Sequence, residues 1–180
     1  MWKKRLEINR ERKRFEQEAE ELHQRIFDRA VNLLAYRPRS VGELRERLLE
    51  KDWVDERIVD DVIEKLREYN YLNDKDFAQN FATSQIRQKP IGKRILRQKL
   101  AQKKLDAGTI DETLKRLFDE VSEEELIARA VQKRLRLKGV PRTREETKKF
   151  YDYLLRQGFS HDLVSMKMRE IVSGVLDESE

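Results

Sequence analysis

Cysteine is absent from the 180-residue chain, which removes disulfide frameworks, thiolate zinc sites and cysteine nucleophiles together. Only two histidines occur, His23 and His161, and neither has a companion at a metal-ligand spacing. Gly-rich phosphate loops, G-x-S-x-G and H-E-x-x-H are missing as well. The residues therefore suggest no metal, no cofactor and no catalytic residue, and the chain reads as a binding protein and not an enzyme. Long apolar runs are lacking too: stretches such as Leu33-Leu34-Ala35 fall far short of the roughly 20 residues that span a bilayer. The basic start, Met1 to Arg5, leads into Glu7, Arg10, Glu11 and Arg12 and not into an apolar leader. A soluble, cytoplasmic chain without a membrane segment is the expectation.

Glycine and proline are scarce, six and three residues, while 42% of the chain is charged and 38% hydrophobic. That balance points to helices and to thin cores. The prolines themselves carry a pattern: Pro38, Pro90 and Pro141 recur at intervals of 52 and 51 residues, which suggests a repeat. In that register Ala30 aligns with Ala82. Leu44, Leu48, Trp53, Ile58 and Val62 align with Leu96, Leu100, Leu105, Ile110 and Leu114, and then with Phe150, Leu154, Phe159, Val164 and Met168. One apolar skeleton is written three times.

Helix punctuation follows the same frame. Ser40 with Glu43, Thr109 with Glu112, Ser122 with Glu125 and Thr143 with Glu146 each fit the capping box. Asp55, Asp74 and Ser160 are simpler N-cap candidates, and Asn70, Gly108 and Gly158 stand where a left-handed residue would end a helix. Apolar residues between these marks recur at three- and four-residue spacing. The pattern predicts an all-α chain of about nine helices: three tandem three-helix repeats forming an elongated curved rod, with a charged N-terminal helical extension. Boundaries fall at 1–24 for the extension, 25–72, 73–120 and 121–176 for the repeats, and 177–180 for an acidic tail. Each proline ends the first helix of its repeat, and Trp53, Leu105 and Phe159 are expected to plug three separate small cores. Tyr36, Tyr69 and Tyr71, near helix ends, are expected to seal against neighbouring repeats.

The net charge of +5 conceals an uneven distribution. Asp55, Glu56, Asp60, Asp61 and Glu64 form an acidic patch in the first repeat. By contrast, the stretch 87–104 contains Arg87, Lys89, Lys93, Arg94, Arg97, Lys99, Lys103 and Lys104 and no carboxylate. Helical spacing puts Lys93, Arg97 and Lys104 on one face with Arg94 beside them. Such crowded cations repel one another until an anionic partner relieves them. Arg134, Arg136, Lys138, Arg142 and Arg144 make a second cluster, and Arg37 and Arg39 a smaller one, so cations adjoin the proline turn in every repeat. A basic edge that grips phosphates without reading bases is one reading; a solvated surface of a charge-rich protein is the other.

The run from Ala30 to Leu48, with Leu33-Leu34, Arg37-Pro38-Arg39-Ser40, Glu43-Leu44 and Leu48, resembles the signature of the RecX family, regulators of the RecA recombinase. The stretch Tyr71-Leu72-Asn73-Asp74-Lys75-Asp76-Phe77-Ala78 is similar to that family's inter-repeat linker, and the basic stretch with Gly92, Ile95, Leu100 and Lys103 also matches. The resemblance covers roughly 26–172, resting in the third repeat on the apolar skeleton, and the chain departs from it where Asp52 and Asn70 replace glycine. Both residues tolerate left-handed backbone. The resemblance implies three tandem three-helix repeats and a non-catalytic monomer that binds the RecA filament on single-stranded DNA. Its implied effect is to impede filament growth, ATP turnover, strand exchange and coprotease action. The charge pattern is compatible, with the cations toward DNA phosphate or acidic filament surface and the acidic patch toward basic residues of the partner. A stand-alone, sequence-nonspecific DNA-binding helical module is the alternative.

Overall fold

The computed structural model describes residues 2–51 and 54–177, and the side chains of 11–51, 54–171 and 173. Nine helices and no strand occur among the described residues: α1 (Trp2–Tyr36), α2 (Val41–Leu49), α3 (Glu56–Glu68), α4 (Asp74–Gln88), α5 (Lys93–Ala101), α6 (Ala107–Glu120), α7 (Glu123–Lys138), α8 (Arg144–Arg156) and α9 (His161–Asp177). Each proline lies between the first and second helix of a triplet, as the spacing predicts. The chain divides into two compact units, Met1–Asn73 and Asp74–Glu180.

The first unit holds α1 to α3 around Ile26, Ala30, Leu44, Leu48, Val59, Val62, Ile63, Leu66 and Leu72. Each fully buried leucine contributes about 1.5–3 kcal/mol. Ser40, itself buried, caps α2 by accepting the Glu43 N–H at 3.0 Å, and Asp55 caps α3 by accepting the Arg57 N–H at 2.7 Å. Asn70, at φ 60°, ends α3. The Tyr71 N–H reaches the Leu66 carbonyl and the Asn70 N–H the Arg67 carbonyl, both at 2.9 Å, which is the Schellman arrangement. Trp53, the expected plug of this core, and Asp52 lie outside the described residues. α1 runs on beyond the core: residues 11–20 are exposed throughout, and that stretch carries Arg12–Glu16 and Arg14–Glu18 pairs at 2.8 and 2.9 Å. Such i,i+4 pairs add a few tenths of a kcal/mol each.

The second unit holds α4 to α9, and here the structure corrects the expectation of one core per repeat. A single cluster runs from Ala78, Ala82, Leu96, Leu100, Leu105 and Leu114 to Leu126, Ala130, Phe150, Leu154, Phe159 and Met168. The merger has a backbone cause. Gly92, just before α5, lies against Gly158 in the α8–α9 turn, so closely that a Cβ on Gly92 would meet the Gly158 carbonyl carbon at 2.4 Å. The Gly92 N–H donates to the Gln157 carbonyl at 2.9 Å and the Arg94 N–H to the Gly158 carbonyl at 3.3 Å. Leu105 and Phe159 are buried as expected, but in shared apolar ground.

Four local expectations also change. The cap of α6 is Asp106, whose carboxylate accepts the Thr109 N–H at 2.9 Å and its hydroxyl at 2.6 Å, so Thr109 is inside the helix and not its cap. Gly108 therefore sits in the first turn of α6, and the left-handed residue after α5 is Lys104, at φ 58°. Ser122 caps α7 through the Glu124 N–H at 3.2 Å and not through Glu125. Asp74 is the first residue of α4. Thr143 and Glu146 form the complete capping box, Ser160 accepts the Leu163 N–H at 3.3 Å, and Gly158 has φ 93°.

Candidate binding surfaces

The acidic patch on α3 is largely compensated within its own unit. Arg45, on α2, donates from Nε to Asp60 at 2.7 Å and from Nη2 to Glu56 at 3.2 Å. The hydrogen bond from Arg45 lowers the Asp60 pKa, and the two carboxylates raise that of Arg45. Asp55 is occupied as a cap, and Glu64 pairs with Arg67 at 3.4 Å. Of the five, Asp61 is the one without a partner among the described residues. The nearby cations are committed too. Arg37 pairs with Glu43 at 3.4 Å, and Arg39 donates to the Leu33 carbonyl at 3.3 Å; burial, then the neighbouring Arg37, pushes the Arg39 pKa down.

Tyr36 is 85% exposed, and Tyr69 and Tyr71, which meet edge-to-face at 6.5 Å, are exposed as well. The three rings expected to be covered are thus exposed. Tyr69 and Tyr71 border an open cavity with Phe27, Asp28, Val31 and Asn32, where a hydroxyl-bearing ring tolerates water.

On α5 the structure finds the counter-charges that the local sequence lacks. Arg97 forms an ion pair with Asp111 of α6. Arg94 donates to the Leu155 carbonyl at 2.7 Å, and the Lys93 N–H is accepted by Glu123 at 3.0 Å while its ammonium lies 5.9 Å from the Phe118 ring centre. Lys103 lies 5.3 Å from the Phe81 ring centre. Because α5 ends at Ala101, Lys104 does not share the face of Lys93 and Arg97. Lys93, Arg94 and Arg97 do converge, with Glu123, Ser160 and His161, on an open cleft of about 620 Å³. Arg87 and Lys89 are exposed at and just beyond the end of α4.

The cluster around the α7–α8 turn differs. Arg134 stacks over Tyr153 and Phe150, at 4.8 and 5.9 Å. Arg136, Lys138, Arg142 and Arg144 are exposed, and among the described residues no carboxylate pairs with any of them. Glu146, in the first turn of α8, accepts the N–H groups of Arg142 and Thr143 at 2.8 and 3.1 Å, which holds its pKa below the usual carboxylate value. Two residues that the charge pattern passes over lie here as well: Leu137 and Val140 are 68% and 43% exposed. Their signal in the sequence is an apolar residue placed inside a basic run after the last periodic core position.

Among the described residues no group of acidic or histidine side chains is arranged to hold a metal ion, and no helix is long and apolar enough to cross a membrane. Tandem three-helix units carrying cations on open surfaces define a helical-repeat protein. Family models describing the first, second and third three-helix domains of RecX match residues 27–66, 73–114 and 122–168. The chain belongs to the RecX family.

It is 35% identical over 159 residues to regulatory protein RecX of Bacillus velezensis (strain DSM 23117 / BGSC 10A6 / LMG 26770 / FZB42), a match covering 87% of this chain and 59% of that protein. Against regulatory protein RecX of Bacillus subtilis (strain 168) the identity is 32% over 145 residues, covering 81% of this chain and 54% of that protein. The chain thus spans little more than half the length of these curated relatives. The crystal structure of RecX from Lactobacillus salivarius has the same fold, with a TM-score of 0.73 at 22% identity over 84% of this chain and 97% of that one. A second crystal structure of regulatory protein RecX gives 0.71 at 26% identity, over 82% and 72%.

Proposed function

We propose that this chain binds the RecA recombinase assembled on single-stranded DNA and restrains filament growth, ATP turnover, strand exchange and coprotease action. The observation that carries the reading is the ordered match of all three RecX domain models to one chain. The cations left without carboxylates at Arg136, Lys138, Arg142 and Arg144 support it, because uncompensated charge is what a polyanion or acidic partner relieves. Repeats at 25–72, 73–120 and 121–176, following an extension at 1–24 and preceding a tail at 177–180, would let one monomer make several weak contacts along a polymer, which add through effective concentration. The chemistry asked of the chain is binding alone.

The test is a titration of the single-stranded-DNA-dependent ATPase of the cognate recombinase. Substoichiometric protein lowers the rate; a rate unchanged at every ratio sinks the proposal. The second reading, stand-alone DNA binding, draws on the cleft where Lys93, Arg94 and Arg97 converge. It requires salt-sensitive binding of DNA without recombinase, lost when those three residues become Glu.

A further inference from the structure

The third repeat departs from the other two at one place. From the buried alanine of the first helix to the first buried residue of the second, it uses a longer stretch, Ala130 to Phe150, than Ala30 to Leu44 or Ala82 to Leu96. The shorter stretch in α1 to α2 already closes a three-helix core, so packing does not call for the additional residues. They prolong α7, lengthen the α7–α8 turn and extend the start of α8, and Leu137 and Val140 lie in solvent beside Arg136, Lys138 and Arg142.

A cavity of about 310 Å³ opens next to them. Val140, Pro141 and Phe150 supply its apolar wall, and Arg134, Lys138 and Lys149 its cationic rim. Glu146, also in the lining, is committed to the backbone of Arg142 and Thr143. Single exposed aliphatic residues are ordinary on a protein surface. Val140 in the wall of this cavity, with Arg134 and Lys138 on its rim and Leu137 exposed three residues earlier, forms a composite surface of definite chemistry.

A phosphodiester chain satisfies the cations and leaves the aliphatic groups wet. Bases would need a stacking platform, and the aromatic rings here do not offer one: Phe150 is buried, and Arg134 already covers Tyr153. We propose that the α7–α8 turn docks an acidic protein segment that carries an apolar side chain. That side chain enters the cavity against Val140 and Pro141, the exposed Leu137 is covered by the adjoining part of the segment, and flanking carboxylates meet Arg136, Lys138 and Arg142. The proposal rests on the filament reading only in assigning the segment to the recombinase.

The test uses the full chain with two fluorescein-labelled acidic peptides, one with a central leucine and one with serine in its place, and with an oligothymidylate. The leucine peptide binds about tenfold more tightly. The double variant Leu137→Ser/Val140→Ser melts like the parent, because both side chains are exposed. It loses that preference and keeps its oligothymidylate affinity within about twofold. Equal binding of the two peptides by the parent overturns the proposal. So does a double variant that loses the oligothymidylate and keeps the peptide preference, which would give the surface to nucleic acid. Recombinase binding separates the two readings: a parent that discriminates the peptides and ignores recombinase sinks the filament assignment and leaves the docking surface in place.

Discussion

Gly92 and Gly158, far apart in sequence, touch backbone to backbone: a Cβ on Gly92 would lie 2.4 Å from the Gly158 carbonyl oxygen and 2.5 Å from the Phe159 nitrogen. Those atoms are main chain and cannot swing aside. Gly92→Ala must therefore part α5 from the α8–α9 turn and strain the bond from the Gly92 N–H to Gln157, at a cost of about 1–3 kcal/mol. Gly108→Ala meets only an Asp106 side-chain oxygen, at 3.1 Å, and changes stability by about 1 kcal/mol or less in either direction. Urea denaturation of the two variants makes the comparison. Equal midpoints would show that the close approach is not maintained in solution.

One shared cluster in α4 to α9 has a kinetic counterpart. Leu100 is fully buried in it, and Leu100→Ala removes about 2–5 kcal/mol. Amide exchange should then quicken across both α4–α6 and α7–α9, as cooperative units open together. α1–α3, whose buried residues form their own cluster, should exchange as before. Faster exchange confined to α4–α6 would restore the picture of three independent cores.

Acid should weaken the first unit through Asp60. The hydrogen bond from Arg45 lowers its folded pKa, so the contribution is present above the unfolded carboxyl value near ~4 and disappears as pH falls through the lower folded one. Both side chains are more than a third exposed, which keeps the contribution below about 1 kcal/mol. The parent should exceed Asp60→Asn in urea midpoint at neutral pH, and the gap should close as the pH falls through the lowered folded value. A gap that widens on acidification contradicts the assigned sign.

Features that rest on a few consecutive residues are legible in the sequence alone: the proline turns, the Thr143–Glu146 box, the left-handed Asn70 and the threefold apolar skeleton. Local pattern misleads where neighbours compete. Asp106 captures the start of α6 from Thr109 because a carboxylate three residues earlier reaches the same N–H, and that moves Gly108 into the helix and leaves Lys104 to end the previous turn. Contacts between distant segments leave no local trace. The Gly92–Gly158 approach depends on where two repeats meet, and the Arg97–Asp111 pair on which faces of α5 and α6 oppose. The run of cations at 87–104 is real, yet its isolation from carboxylates is a property of the linear chain and not of the folded surface.

That difference ranks the two basic sets. Arg97 has Asp111, Arg94 has the Leu155 carbonyl and Lys93 stands beside Glu123 and Phe118, so neutralising them forfeits charge that is already partly compensated. Arg136, Lys138 and Arg142 have no carboxylate partner among the described residues, and their full charge is available to an acidic or phosphate surface. Converting Arg136, Lys138 and Arg142 to Gln should raise the concentration needed to half-inhibit the recombinase ATPase by about tenfold, and converting Lys93, Arg94 and Arg97 by about threefold. The first triple variant should also show the larger loss of salt dependence in binding, since salt acts on accessible charge. Far-UV circular dichroism controls for folding, which matters chiefly for the α5 set because Arg94 ties that helix to α8. The reverse ranking, with both variants folded, would mean that the α5 contacts open on binding and that the cleft shared by Lys93, Arg94 and Arg97 is the principal anion seat.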